Sequence, residues 1–137
     1  MTTINEKTGD FVSLINGLYA VQDLPGKAFG LVVSKNTVIL QDALKELENL
    51  GKPDPAFMEL ATKVNEIAKE ESEDSKERIK KLEEEHAELV QGRRDQISIT
   101  QSAMAEDMSL DLHLLQETDL PEIITAKHLT TLRLILE

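Results

Sequence analysis

The run from Pro55 to Gln91, PAFMELATKVNEIAKEESEDSKERIKKLEEEHAELVQ, has no glycine and, after its first residue, no proline. Its residues are mostly strong helix formers, so a long central piece of the chain is committed to helix. Within it Phe57, Leu60, Val64 and Ile67 recur at spacings of three and four. Ile79, Leu82, His86 and Leu89 repeat the pattern 22 residues later. Twenty-two is twice eleven, and an eleven-residue period is about 3.67 residues per turn, close to that of a straight helix. Both stripes would then share one face of a continuous rod, roughly 54 Å long over residues 56–91. That length exceeds the span of a compact chain of 137 residues, so part of the rod is expected to project or to pair with another chain.

A break is the competing expectation. The stripe vanishes at Glu70-Glu71-Ser72-Glu73-Asp74-Ser75, where Asp74 followed by Glu77 would make a capping pair for a new helix. Glu77 with Lys81 and Asp74 with Arg78 would instead support an unbroken exposed helix through i,i+4 pairs. The matched register of the two stripes favours continuity.

The flanking segments are shorter. Residues 1–9 are polar and expected to fray. A first helix from about Gly9 to Val21 would carry Phe11, Leu14, Ile15, Leu18 and Tyr19 on one face, until Pro25 and Gly26 break it. A second, from about Lys27 to Leu50, would carry Phe29, Val32, Val33, Leu40, Ala43, Leu47 and Leu50. Asn36 lies on the same stripe, to fix register, to cap a neighbour or at a boundary. Gly51-Lys52-Pro53-Asp54-Pro55 ends it. Past Gly92 the pattern is mixed, with a helix expected to continue to about Ala105. Met108 to Leu114 then alternates like a strand and needs a partner, either Ile97–Thr100 or a second chain. Thr125 caps a closing helix from Ala126 to about Leu136. The fold expected is mainly α in a single domain, 1–137: a helical hairpin or bundle built on one long charged helix, 56–105. Two amphipathic helices (10–50) precede it, and a short strand or hairpin and a short closing helix (106–137) follow.

Composition narrows the function. Three phenylalanines and one tyrosine leave the core to aliphatic side chains, which suits interdigitating helices. Without cysteine there is no thiolate nucleophile and no Cys-ligated zinc. A net charge of −11 opposes direct grip on a nucleic-acid backbone. No apolar run is long enough for a bilayer, so the expected location is the cytoplasm, with no membrane partner. His86, His113 and His128 are far apart in sequence, and Glu83-Glu84-Glu85-His86 occurs once, with no partner helix to complete a carboxylate-bridged metal site. No metal, no cofactor and no catalytic constellation is expected. Two basic spots remain, Arg93-Arg94 and Lys127-His128; if they converged they would suit a phosphate or nucleotide.

The layout is similar to that of small bacteriophage-encoded helical proteins. The matching features are the amphipathic helix around Phe11–Leu18, the Leu24-Pro25-Gly26-Lys27-Ala28 entry to a second helix, the charged Ile79-Lys80-Lys81-Leu82-Glu83, and the strand-like Leu110–Leu114. The resemblance implies an accessory role in the bacterial cytoplasm and supplies no catalytic residues. The leading expectation is a non-enzymatic protein that acts by protein–protein interaction. It would self-associate as a homo-oligomer through the stripe Ile79, Leu82, His86 and Leu89, as a coiled-coil seam does. The alternatives are a sponge for a small nucleotide signal in host defence and an acidic decoy of a nucleic-acid-binding host protein.

Overall fold

A computed structural model describes residues 1–137, and it is mainly α, with six α-helices and one two-stranded antiparallel sheet. The chain divides into two compact units, Met1–Leu47 with Ser102–Glu137, and Glu48–Gln101.

The first unit begins with a strand where fraying was expected. Strand β1 (Thr2–Lys7) leads into helices α1 (Thr8–Val21) and α2 (Lys27–Gly51), and pairs antiparallel with β2 (Asp107–Leu112) from the far end of the chain. The partner of the expected strand is therefore neither Ile97–Thr100 nor a second chain. Alternation decides the pairing. Ile4 opposite Leu110 lies on the face turned to the core, while Thr3–Asp111, Asn5–Ser109 and Lys7–Asp107 form a polar ladder on the other face. Each rung is a cross-strand hydrogen bond, which compensates for the polarity of β1. The Asp107 hydrogen bond and charge raise the pKa of the Lys7 ammonium above its ordinary 10.5.

Thr8, at the corner into α1, donates both its backbone N–H (2.9 Å) and its hydroxyl (3.0 Å) to the Glu106 carbonyl, closing the base of the ribbon. Phe11, Leu14, Ile15, Leu18 and Val21 of α1 pack with Phe29, Val33, Leu40 and Leu44 of α2. Leu112, Leu115, Leu132 and Ile135 complete the core. Gly17 is needed for close approach: a Cβ there would stand 2.8 Å from Cβ and Oγ1 of Thr131 on helix α6 (Ala126–Thr131). Helix α6 is shorter than expected and passes through Leu132 into a 3-10 turn, Arg133–Ile135. The chain end is tied back by Leu115, whose N–H donates to the Ile135 carbonyl at 2.6 Å and whose carbonyl accepts from Glu137 at 3.0 Å.

Asn36 is fully buried in this core. Its Nδ2 donates to the His113 carbonyl and its Oδ1 accepts the His113 N–H, both at 2.8 Å. One side-chain amide thus satisfies both backbone groups of a residue that has just left the sheet, where no ladder remains to do so.

The second unit is helical throughout. Helix α3 (Pro55–Lys69) starts with Asp54 accepting from the Ala56 N–H at 2.8 Å and with Pro55 in the first turn. It does not run on: a turn at Glu70–Asp74 separates it from α4 (Ser75–Glu85), and after His86 the chain continues as α5 (Ala87–Met104). The expected 56–105 rod is therefore replaced by a hairpin. Glu71 adopts φ of +49°, which no helix tolerates. The Ser75 hydroxyl then donates back to the Ile67 carbonyl at 3.3 Å and accepts the Ser72 N–H at 3.1 Å. Arg78 forms an ion pair with Glu70 across the turn, in place of an i,i+4 pair with Asp74.

Candidate functional site

The stripe Ile79, Leu82, His86 and Leu89 runs along α4 into α5, and all four side chains are half-buried. Their cover is α3, folded back antiparallel. Ser75 lies against Ile67 at the turn, and at the open end the Arg93 guanidinium sits 6.0 Å from the centre of the Phe57 ring. The two stripes that sequence spacing would lay along one face of a rod therefore meet face to face within one chain. A 22-residue offset suits both arrangements, because a hairpin reversal preserves which face is apolar.

Two helices cover each other on one side only. Leu60 is the one apolar residue of this unit that becomes buried; Phe57, Val64, Ile67 and the α4–α5 stripe stay partly exposed, and Met58, Ile97 and Ile99 are exposed outright. The surface is thus an incompletely covered seam, half of what a helical bundle requires.

His86 marks a bend in the seam. Its backbone leaves helical geometry (φ −118°, ψ 34°), and its N–H is shared between the carbonyls of Leu82 (3.2 Å) and Glu83 (3.3 Å). Nδ1 lies 3.0 Å from the Leu82 carbonyl, which can only accept, so Nδ1 carries a proton. A side chain competing for the carbonyl four residues back is a recognised cause of such a kink. Helical bonding resumes at Val90, whose N–H reaches the His86 carbonyl at 3.2 Å.

The basic spots serve helix ends. Arg93 donates from Nη1 to the Gly51 carbonyl (2.9 Å) and to Oε1 of Gln96 (2.8 Å). Gln96 Nε2 in turn donates to the carbonyls of Leu50 (2.8 Å) and Lys52 (2.6 Å). Three successive carbonyls at the end of α2, which has no basic residue in its last turn, are thereby satisfied. His128 is half of a capping box: its N–H donates to the Thr125 hydroxyl at 3.3 Å, and its Nδ1 accepts from the Thr125 N–H. Arg94 and Lys127 are exposed. Arg93-Arg94 belong to the helical unit and Lys127-His128 to the other.

A cleft of about 490 Å³ opens beside Arg93, lined by Lys52, Asp54, Phe57, Glu88, Leu89 and Gln96. Its size suits a small ligand. Three of its polar side chains are already engaged, Arg93 and Gln96 with the end of α2 and Asp54 with the start of α3, which leaves Lys52 and Glu88. No three His, Asp or Glu side chains gather in a metal-holding arrangement, and no helix is long and apolar enough to cross a membrane. Family models, curated proteins and solved structures yield no match to this chain.

Asn36 caps the backbone of His113, one of the roles its place on the apolar stripe offered. Sequence reasoning missed the Gln96 cap, for which the available clue was a helix end without a basic last turn.

Proposed function

We propose that this chain is a non-enzymatic interaction protein that associates with a second copy of itself through the half-covered seam of α3, α4 and α5. The observation that carries this reading is the contrast between a unit of three helical segments and its single buried apolar residue, Leu60. Apolar surface left half-exposed along facing helices is stabilised by further burial, worth about 25 cal/mol per Å² removed from water. Two such hairpins, laid seam to seam, make a four-helix bundle. The resemblance of the sequence layout to phage-encoded helical proteins adds an accessory role to this reading, exercised by holding partners rather than by chemistry. Sedimentation equilibrium on the whole chain tests it: a dimer is expected at micromolar concentration, and a monomer up to about 100 μM would overturn it, since specific interfaces of standard size bind more tightly than that.

A further inference from the structure

Helix α4 and the first turn of α5 carry their charges in two blocks. Lys76, Arg78, Lys80 and Lys81 precede Leu82, with Glu77 the one acid among them; Glu83, Glu84, Glu85 and Glu88 follow it, with no Lys or Arg among them. Only Arg78 has an ion-pair partner, Glu70; none of the other basic or acidic side chains in the two blocks reaches an opposite charge within the chain. The order also runs against the helix itself, since bases near the first turn of α4 and acids in its last turn both oppose the helix dipole. Arg78–Glu70 is the one close ion pair that offsets that arrangement.

A reversed second copy would offset the rest. Resting on the self-association reading above, we infer that two chains pair α4 against α4 antiparallel, about a two-fold axis near Leu82, so that the basic block of each faces the acidic block of the other. The pattern is self-complementary only in this sense: parallel copies would oppose base to base and acid to acid. Both chains use the same patch, as a closed two-fold dimer requires. The blocks lie on either side of Leu82 along the helix, and Ile79, Leu82 and Leu89 are half-buried, so charge sets orientation while apolar burial supplies contact.

Charge reversal and cysteine pairing test this together. The variant Lys76→Glu/Lys80→Glu/Lys81→Glu and the variant Glu83→Lys/Glu84→Lys/Glu88→Lys are each expected to dimerise at least tenfold more weakly than the parent, and their mixture to recover a heterodimer. The parent dimer itself should weaken as salt is raised, because exposed charges are screened. The chain has no cysteine, so single cysteines report orientation without background. In the antiparallel dimer, copies of residue 76 stand about 18 Å apart along the axis, beyond the roughly 7 Å a disulfide can span. Glu83→Cys should therefore cross-link to itself, and Lys76→Cys should not. Self-cross-linking of Lys76→Cys, or a parent dimer indifferent to either charge reversal with helicity retained, would overturn the antiparallel pairing and leave self-association standing. A monomeric parent would overturn both. Should a reversed variant lose its helical circular dichroism, the cysteine pairs decide.

Discussion

The two units of this chain bury their apolar residues to very different degrees. Thirteen apolar side chains form the core of the unit built from β1, α1, most of α2, β2 and α6, whereas Leu60 alone is buried in the unit Glu48–Gln101. Amphipathic helices supply both. The first unit closes its core from several sides, with helices, a ribbon and a tied-back chain end; in the second, one helical layer faces another and the remaining sides are open. Stability follows from how many directions cover a side chain, not from how regular its stripe is. The first unit is thus the anchor of the fold, and the second is the part with surface to offer.

The widest test of that contrast compares large-to-small substitutions in each unit. Phe11→Ala should cost about 3–5 kcal/mol by chemical denaturation, and Leu82→Ala only about 1 kcal/mol at dilutions where the chain is monomeric, because Leu82 there has less burial to lose. Amide exchange should agree, being slower in α1 than in α3 and α4. Equal costs at the two positions would abolish the distinction. Next in size is Asn36→Asp. A carboxylate can accept the His113 N–H but cannot donate to the His113 carbonyl, so the buried clamp should lose about 2–4 kcal/mol. Asn36→Ala should be of similar size, and a loss under 0.5 kcal/mol (about the scatter of surface substitutions) would show that the amide is not a clamp. Gly17→Ala should follow at about 1–3 kcal/mol, since the added methyl meets Thr131 at 2.8 Å; pairing it with Thr131→Ala should recover part of the loss.

The smallest effect belongs to the ribbon. Lys7→Gln removes an exposed pair with Asp107 and should shift the thermal midpoint little. The raised Lys7 pKa gives its pH dependence a definite sign. The pair's contribution is present in full below 10.5 and is lost as pH rises through the raised value. Parent and variant should therefore show the same pH profile between about pH 6 and 9 and converge only in stronger alkali. A difference that grows across the neutral range would assign Lys7 another partner.

Local rules carried much of the helical plan. Periodicity in Phe11–Leu18 and Phe29–Leu47, the Pro25-Gly26 and Gly51-Lys52-Pro53 punctuation, and Thr125 before the closing helix all concern residues close in sequence, and these elements begin where their signals stand. Alternation in Met108–Leu114 likewise marked a strand, β2. The stripe Ile79, Leu82, His86 and Leu89 was equally legible, because an apolar face is a property of spacing.

What the seam meets was not legible. A stripe with helical period reads the same whether its cover is a hairpin partner or another chain, and one residue at positive φ, Glu71, turned the rod into a hairpin. The partner of β2 lies about a hundred residues away at Thr2–Lys7, a segment whose polarity hid the strand until the Lys7–Asp107 and Asn5–Ser109 rungs were formed. Arg93 and His128, read as basic spots, turned out to serve helix ends, since a side chain's role depends on which orphan backbone groups the fold brings within reach. Sequence by itself determined which stretches are helical, where α1, α2, α3 and α6 begin and which faces are apolar, because those are set by neighbours within a few turns. The tertiary structure alone decided which faces meet, which polar groups are paired and which surface is left over, because those depend on contacts between residues distant in the chain.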